Sequence, residues 1–193
     1  MEYTNKNYEH ILGLPGFGDT LLKNHFTLYQ GYVTNTNKLM KIISDMIKEG
    51  KQATPEFAEI KRRFGWEFNG MRLHELYFEN MTKNASQISK SSKIYQLIEK
   101  NFGNYENFEK EFKATGVMRG IGWVIVYHDK QNDNLFIEWV NEHEAGHLST
   151  ATPLLIMDVF EHAFMIEYGL KRADYIESFV KAIDWNIVEK RIN

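Results

Sequence analysis

The sequence predicts an α+β fold: an N-terminal antiparallel helical hairpin, then a C-terminal α/β domain with a small antiparallel sheet. Three observations predict it. Residues 20–48 and 55–81 both repeat their apolar side chains at helical spacing. The break between them, Glu49 to Thr54, is short and polar, which makes the two helices antiparallel neighbours. Beyond residue 120 the composition turns β-branched and aromatic. The polar run 82–92 reads as the linker, so the expected domains are 1–86 and 87–193.

The elements follow in order. The first helix carries Leu22, Phe26, Tyr29, Tyr32 or Val33, Met40, Ile43 and Ile47 on one stripe. Gly31 is its weak point, costing ~1 kcal/mol relative to Ala. Thr54-Pro55 reads as the cap and first position of the second helix, whose stripe is Phe57, Ile60, Phe64, Phe68, Met71, Phe78 and Met81. Residues 94–102 and 105–112 read as two shorter helices. Strand-like residues 123–127 and 135–140 flank turn material at 128–134, forming a β-hairpin with a long loop. After Pro153 come a short apolar piece, a helix near 158–168 and a helical C-terminus over 173–190.

Composition narrows the chemistry. The chain has 193 residues, 7 His and no Cys. That excludes disulfides, thiolate zinc sites, cysteine-bound iron–sulfur clusters and a cysteine nucleophile. Hydrophobic residues at 43% and charged residues at 25% fit a folded chain. A net charge of −3 speaks against a nucleic-acid partner. The N-terminus lacks a basic segment followed by an apolar one, and the longest apolar runs are too short to span a bilayer. A cytoplasmic protein without a membrane contact is therefore expected.

Any metal must be held by His and carboxylate. His25 and His74 lie within the apolar stripes of the two long helices. In an antiparallel hairpin, residues equidistant from the turn share a height. The midpoint of His25 and His74 falls inside the Glu49–Lys51 break, so the two imidazoles should face each other. Asp158 and His162 are spaced i, i+4, which on a helix is one face, among Leu154, Leu155, Ile156, Val159 and Phe160. An unpaired carboxylate there would be costly. Three His and one Asp make a ligand set that zinc, iron or manganese accepts. A second motif competes: His143-Glu144-Ala145-Gly146-His147 fits the zinc-protease signature, which requires both His on one helix. Gly146 and the preceding strand-like run argue against that helix.

Taken together, these residues resemble the iron/manganese superoxide dismutase family. The stretch Asp158-Val159-Phe160-Glu161-His162-Ala163-Phe164, then Arg172-Ala173-Asp174-Tyr175 and Trp185, is similar to its C-terminal pattern D-x-W-E-H-A-Y, R-x-D-Y and a tryptophan. His25 with Tyr32-Val33, His74 to Phe78, and Gly120-Ile121-Gly122-Trp123 resemble three further family segments in the same order. The resemblance implies metal ligands His25, His74, Asp158 and His162. It implies one iron or manganese per subunit, cycling between 3+ and 2+ to convert superoxide to O2 and H2O2 with coupled proton transfer. Tyr32 matches the tyrosine that lines the substrate channel. The Gln or His that hydrogen-bonds the metal-bound solvent comes, in the family, from either of two places. The first is here Gly70, which has no donor; the second points to His143, with Asn141 or His147 as fallback. His147 otherwise reads as a loop residue without a role. Ile156, bulky where manganese members are often small, favours iron. A homodimer or tetramer is implied, with Glu161 near the interface. Lys171 and Arg172 are the basic residues expected to steer the anion. Tyr29 and Met165 stand where the family often pairs His with Tyr across its dimer. Two alternatives remain beside this reading: a zinc hydrolase on His143, Glu144 and His147, and a non-catalytic metal-binding scaffold of the same fold.

Overall fold

The computed structural model describes residues 2–192. Its first helix, α1 (Asp19–Lys48), runs against α2 (Pro55–Glu79) as the expected hairpin. Thr54 Oγ1 accepts from Phe57 N at 3.3 Å and Pro55 takes the first turn, so α2 starts where a missing N–H does no harm. A non-helical segment crosses to α3 (Lys93–Phe102) and α4 (Tyr105–Gly116), each with a side-chain cap, Ser92 and Asn104.

Three antiparallel strands follow: β1 (Gly122–Asp129), β2 (Asn134–Asn141) and β3 (Thr152–Asp158), in the order β2-β1-β3. The central strand β1 is buried along nearly its whole length, which explains its unbroken apolar run. The apolar piece after Pro153 is thus a third strand and not the entry to a helix. Pro153 is tolerated because β3 is an edge strand, and the register shifts between Val126 and Tyr127 close to its pairing partner.

A second expectation fails nearby. Residues 158–168 are not one helix: Asp158 ends β3, residues Glu161–Ala163 form a 3-10 turn, and α5 (Met165–Tyr168) is a single turn. The apolar run 154–157 satisfies its backbone on β1, pairing Trp123 with Asp158 and Ile125 with Ile156, and that sheet pairing overrides the helical spacing. The C-terminal helix is likewise two helices, α6 (Arg172–Ala182) and α7 (Trp185–Lys190). The break is paid in main-chain bonds to the end of α2: Thr82 N donates to Ala182 O at 2.9 Å, and Asp184 N to Asn80 O at 2.7 Å.

That junction also braces the sheet. Asn80, fully buried, donates Nδ2 to Ile156 O at 2.6 Å. Arg191 donates to Asn80 Oδ1 and, at 2.7 Å, to Leu154 O. The main core packs β1 and β3 against α2, α4 and α6, with Trp123, Tyr77, Phe112, Tyr175 and Phe179 buried at its centre. Among the described residues, no helix is long and apolar enough to cross a membrane.

Candidate metal centre

Four side chains converge where the hairpin meets the end of β3. His25 from α1, His74 from α2, Asp158 from the end of β3 and His162 from the 3-10 turn each offer one ligand atom, all within 4.8 Å of one another. The His25 and His74 rings face each other with centroids 5.0 Å apart. Asp158 and His162 meet without sharing a helix, because the chain turns sharply after β3. Phe160 N donates to Asp158 Oδ1 at 2.8 Å, which closes that turn and orients the carboxylate. Tyr175 OH donates to Asp158 O at 2.6 Å and holds the same residue from α6.

The remaining oxygen, Asp158 Oδ2, faces three imidazole nitrogens. His162 Nε2 lies 3.1 Å away, His25 Nε2 3.2 Å and His74 Nε2 3.7 Å. His74 Nδ1 lies 2.6 Å from Gly70 O, and a carbonyl only accepts, so the proton sits on Nδ1. His74 Nε2 therefore turns a lone pair into the cluster, where it is buried and has no partner. A buried acceptor with nothing to accept is a cost that a cation removes. His25 Nδ1 is also buried and unpaired. The donor set, three nitrogens and one carboxylate oxygen, suits a borderline metal ion.

Charge agrees with geometry. Burial by itself would raise the Asp158 pKa, but His162 and His25 outweigh it by charge and hydrogen bonding and hold the carboxyl well below the usual range. Burial lowers the pKa of His25, with Asp158 opposing it. It lowers His74 further, aided by the neighbouring His25. Burial thus favours neutral rings at His25 and His74 beside one carboxylate, the protonation state a metal needs of those ligands. His162 is the open side, its side chain 30% exposed.

Beside the cluster lie Tyr32 and His143. Tyr32 OH and His143 Nε2 are 2.8 Å apart. Trp123 Nε1 donates to His143 Nδ1 at 3.0 Å, and an indole can only donate. His143 therefore carries its proton on Nε2 and donates it to Tyr32, leaving the Tyr32 hydroxyl proton to point elsewhere. Burial pushes the His143 pKa down to about 4, so the ring is neutral near pH 7. Burial, then Asp158 and Glu67, raise the Tyr32 pKa and keep the phenol protonated. Gly70 is needed here: a Cβ on it would lie 2.5 Å from Tyr32 Cδ1. With the Tyr32 ring across that position, a side chain at 70 has no room.

Three residues that spacing alone did not single out complete this wall. Asn69 Nδ2 donates to His143 O at 2.7 Å. Trp66 packs edge-on against His143 at 4.8 Å, and Arg63 lies over the Trp66 ring at 5.0 Å. Asn69 sits next to Gly70 and three residues after Trp66 on one helix face, a signal available only once the partner of that face is known.

The zinc-protease arrangement is not formed. Residues 143–147 make turns and a bridge, not a helix, and Gly146 has φ +112, where a Cβ would meet Trp139 O at 2.5 Å. His147 uses both nitrogens on protein groups: Nδ1 is 2.7 Å from Tyr127 OH and Nε2 is 2.9 Å from His143 O. Glu144 is exposed. Arg172 lies at the start of α6. Its guanidinium donates to Met118 O at 2.7 Å and Gly120 O at 2.9 Å and lies over Phe164, so it ties α6 to the entry of β1.

The chain is similar to known proteins over most of its length. The C-terminal domain family of the iron/manganese superoxide dismutases matches residues 90–191. A protein of Saccharolobus solfataricus named as an iron superoxide dismutase is 31% identical over 167 residues, 85% of this chain and 79% of that protein. One of the same name from Methanothermobacter thermautotrophicus is 32% identical over 175 residues, covering 90% and 84%. Another from Aquifex pyrophilus is 30% identical over 183 residues, covering 92% and 85%.

Proposed function

Since this chain belongs to the iron/manganese superoxide dismutase family, we propose that it is a superoxide dismutase holding iron on His25, His74, Asp158 and His162. The observation that carries this is the buried, unpartnered His74 Nε2 aimed at Asp158 Oδ2 beside two further imidazoles. The relatives named for iron support that metal over manganese, which the same donors accept. An iron or manganese ion bound there would supply the one-electron chemistry, by which one superoxide is oxidised to O2 and a second superoxide takes up that electron and two protons to become H2O2.

The chain's own residues do the rest. Asp158 and its three imidazoles set the charge and the donor strength that fix the potential. His143 Nε2–H holds the Tyr32 oxygen, so the hydroxyl proton of Tyr32 is the one free to move toward a reduced product. Tyr32 is only half-buried, so bulk water can return that proton. Trp123 and Trp66 flank His143 and limit other water around it.

The division at 86/87 places His25 and His74 in the N-terminal domain and Asp158 and His162 in the C-terminal one. The protein works in the cytoplasm as a homodimer. Exposed Glu161, with Met165, Ile166 and Leu170 at 41%, 54% and 90% exposure, offers the apolar face such a dimer would cover.

The test is metal analysis and superoxide decay on the purified chain loaded with iron, manganese or zinc. Turnover with iron, weaker turnover with manganese and none with zinc is the expected result. Tight zinc binding without any superoxide turnover in the iron form overturns the proposal.

A further inference from the structure

His147 belongs to the motif that the metal centre does not use, yet it is not idle. The carbonyl of His143 accepts twice, from Asn69 Nδ2 at 2.7 Å and from His147 Nε2 at 2.9 Å. Because a carbonyl only accepts, His147 is protonated on Nε2, and its Nδ1 accepts the Tyr127 hydroxyl proton across 2.7 Å. Tyr127 lies in the central strand β1 and is 3% exposed, so the imidazole is anchored to a fixed point of the sheet.

The loop needs such an anchor. It leaves β2 through Glu142 at φ +51, a conformation that a residue with a side chain does not prefer, and then passes Gly146 at φ +112, which glycine adopts freely. A non-glycine residue held at positive φ costs ~1–3 kcal/mol and persists only when its surroundings over-determine it. The loop also carries His143, whose two ring bonds are 2.8 and 3.0 Å long and tolerate little displacement.

We propose that His147, fixed by Tyr127, is a positioning residue for His143: it clamps the His143 main chain so that the imidazole meets Tyr32 and Trp123. The inference rests on the functional reading above. His147 touches none of the four converging side chains and acts only through the backbone of residue 143.

The experiment uses the full metal-loaded chain and four variants: His147→Ala, His147→Leu, His147→Gln and Tyr127→Phe. A glutamine amide can donate to the His143 carbonyl as Nε2–H does; leucine supplies bulk alone. In the Ala and Leu variants, amide exchange across residues 142–148 should quicken about tenfold and turnover fall about tenfold, since small misplacements at a reacting site carry such losses. Metal content should not change. The Gln variant should recover most of both losses, and Tyr127→Phe should quicken exchange in the same segment. Unchanged exchange and turnover in the Ala variant overturn the clamp, as does a Gln variant no better than Leu. If the Ala variant fails to fold, the Gln–Leu comparison decides. A wild-type chain without superoxide turnover overturns the functional reading but leaves the clamp to be judged by the exchange pattern.

Discussion

Gly70→Ala tests whether Tyr32 is held by close packing against α2. The added Cβ would lie 2.5 Å from Tyr32 Cδ1, 2.6 Å from Cε1 and 3.0 Å from Cγ. Carbon atoms pack comfortably at about 3.5–4.0 Å, so the ring must retreat by roughly 1 Å. The clash runs along one edge of the ring, from Cγ to Cε1, and not at the far end of a flexible side chain. A retreat of that size stretches the 2.8 Å bond to His143 beyond hydrogen-bonding range. Overpacking costs ~1–3 kcal/mol, and replacing a helical Gly by Ala returns ~1 kcal/mol. The net loss of stability is therefore small, and a chain of this size should lose only a few degrees, at about 2–4 °C per kcal/mol. Turnover should suffer far more, by about 10- to 100-fold for a misplacement near 1 Å. Superoxide decay by stopped flow, melting by calorimetry and metal content by mass spectrometry separate these effects. The double variant Gly70→Ala/Tyr32→Phe should be no slower than Tyr32→Phe alone, because both act on one interaction. Unchanged turnover in Gly70→Ala, or losses that simply add in the double variant, would refute the reasoning.

His74→Ala and Asp158→Asn should each abolish metal uptake at stoichiometric metal while the chain still folds, read by metal analysis and circular dichroism; retained stoichiometric metal in either variant counts against the ligand assignment. His143 gives a pH prediction. Its pKa falls from 6.5 to about 4 on folding, so the unfolded chain binds its proton first as pH drops. Stability should be unaffected by this group above pH 6.5 and should fall between pH 6.5 and 4 by an amount on the order of 3 kcal/mol. The difference in urea midpoint between wild type and His143→Gln across that window isolates the effect. Asn80→Ala removes the donor to Ile156 O and an acceptor of the buried Arg191. It should cost about 2–3 kcal/mol, visible as a melting point lower by roughly 5–10 °C, with metal affinity less affected.

The two long helices were legible in the sequence because helical periodicity is a local property: each turn repeats its apolar residue whatever lies opposite. Their antiparallel pairing followed from a short break, and the facing of His25 and His74 followed from counting out from that break. The central strand was legible from composition. The third strand was not, because a short apolar run after a proline reads equally as strand or helix until a partner is known. For the same reason Asp158 and His162 were assigned to the right neighbourhood on the wrong element. Spacing of i, i+4 brings two side chains together on a helix, and a strand end followed by a 3-10 turn does so as well.

By itself, the sequence determined the element types of the hairpin, the absence of thiolate chemistry and the identity of the four converging side chains. Only the tertiary structure decided how they converge. The direction of the His74 lone pair depends on the Gly70 carbonyl, and the His143 tautomer depends on the Trp123 indole. The space for the Tyr32 ring depends on a missing Cβ one helix away, and the standing of His147 depends on a tyrosine in the central strand. Each of these is a contact between residues far apart in the chain. Periodicity carries no information about such pairs, because their geometry is set only when the helices and the sheet dock.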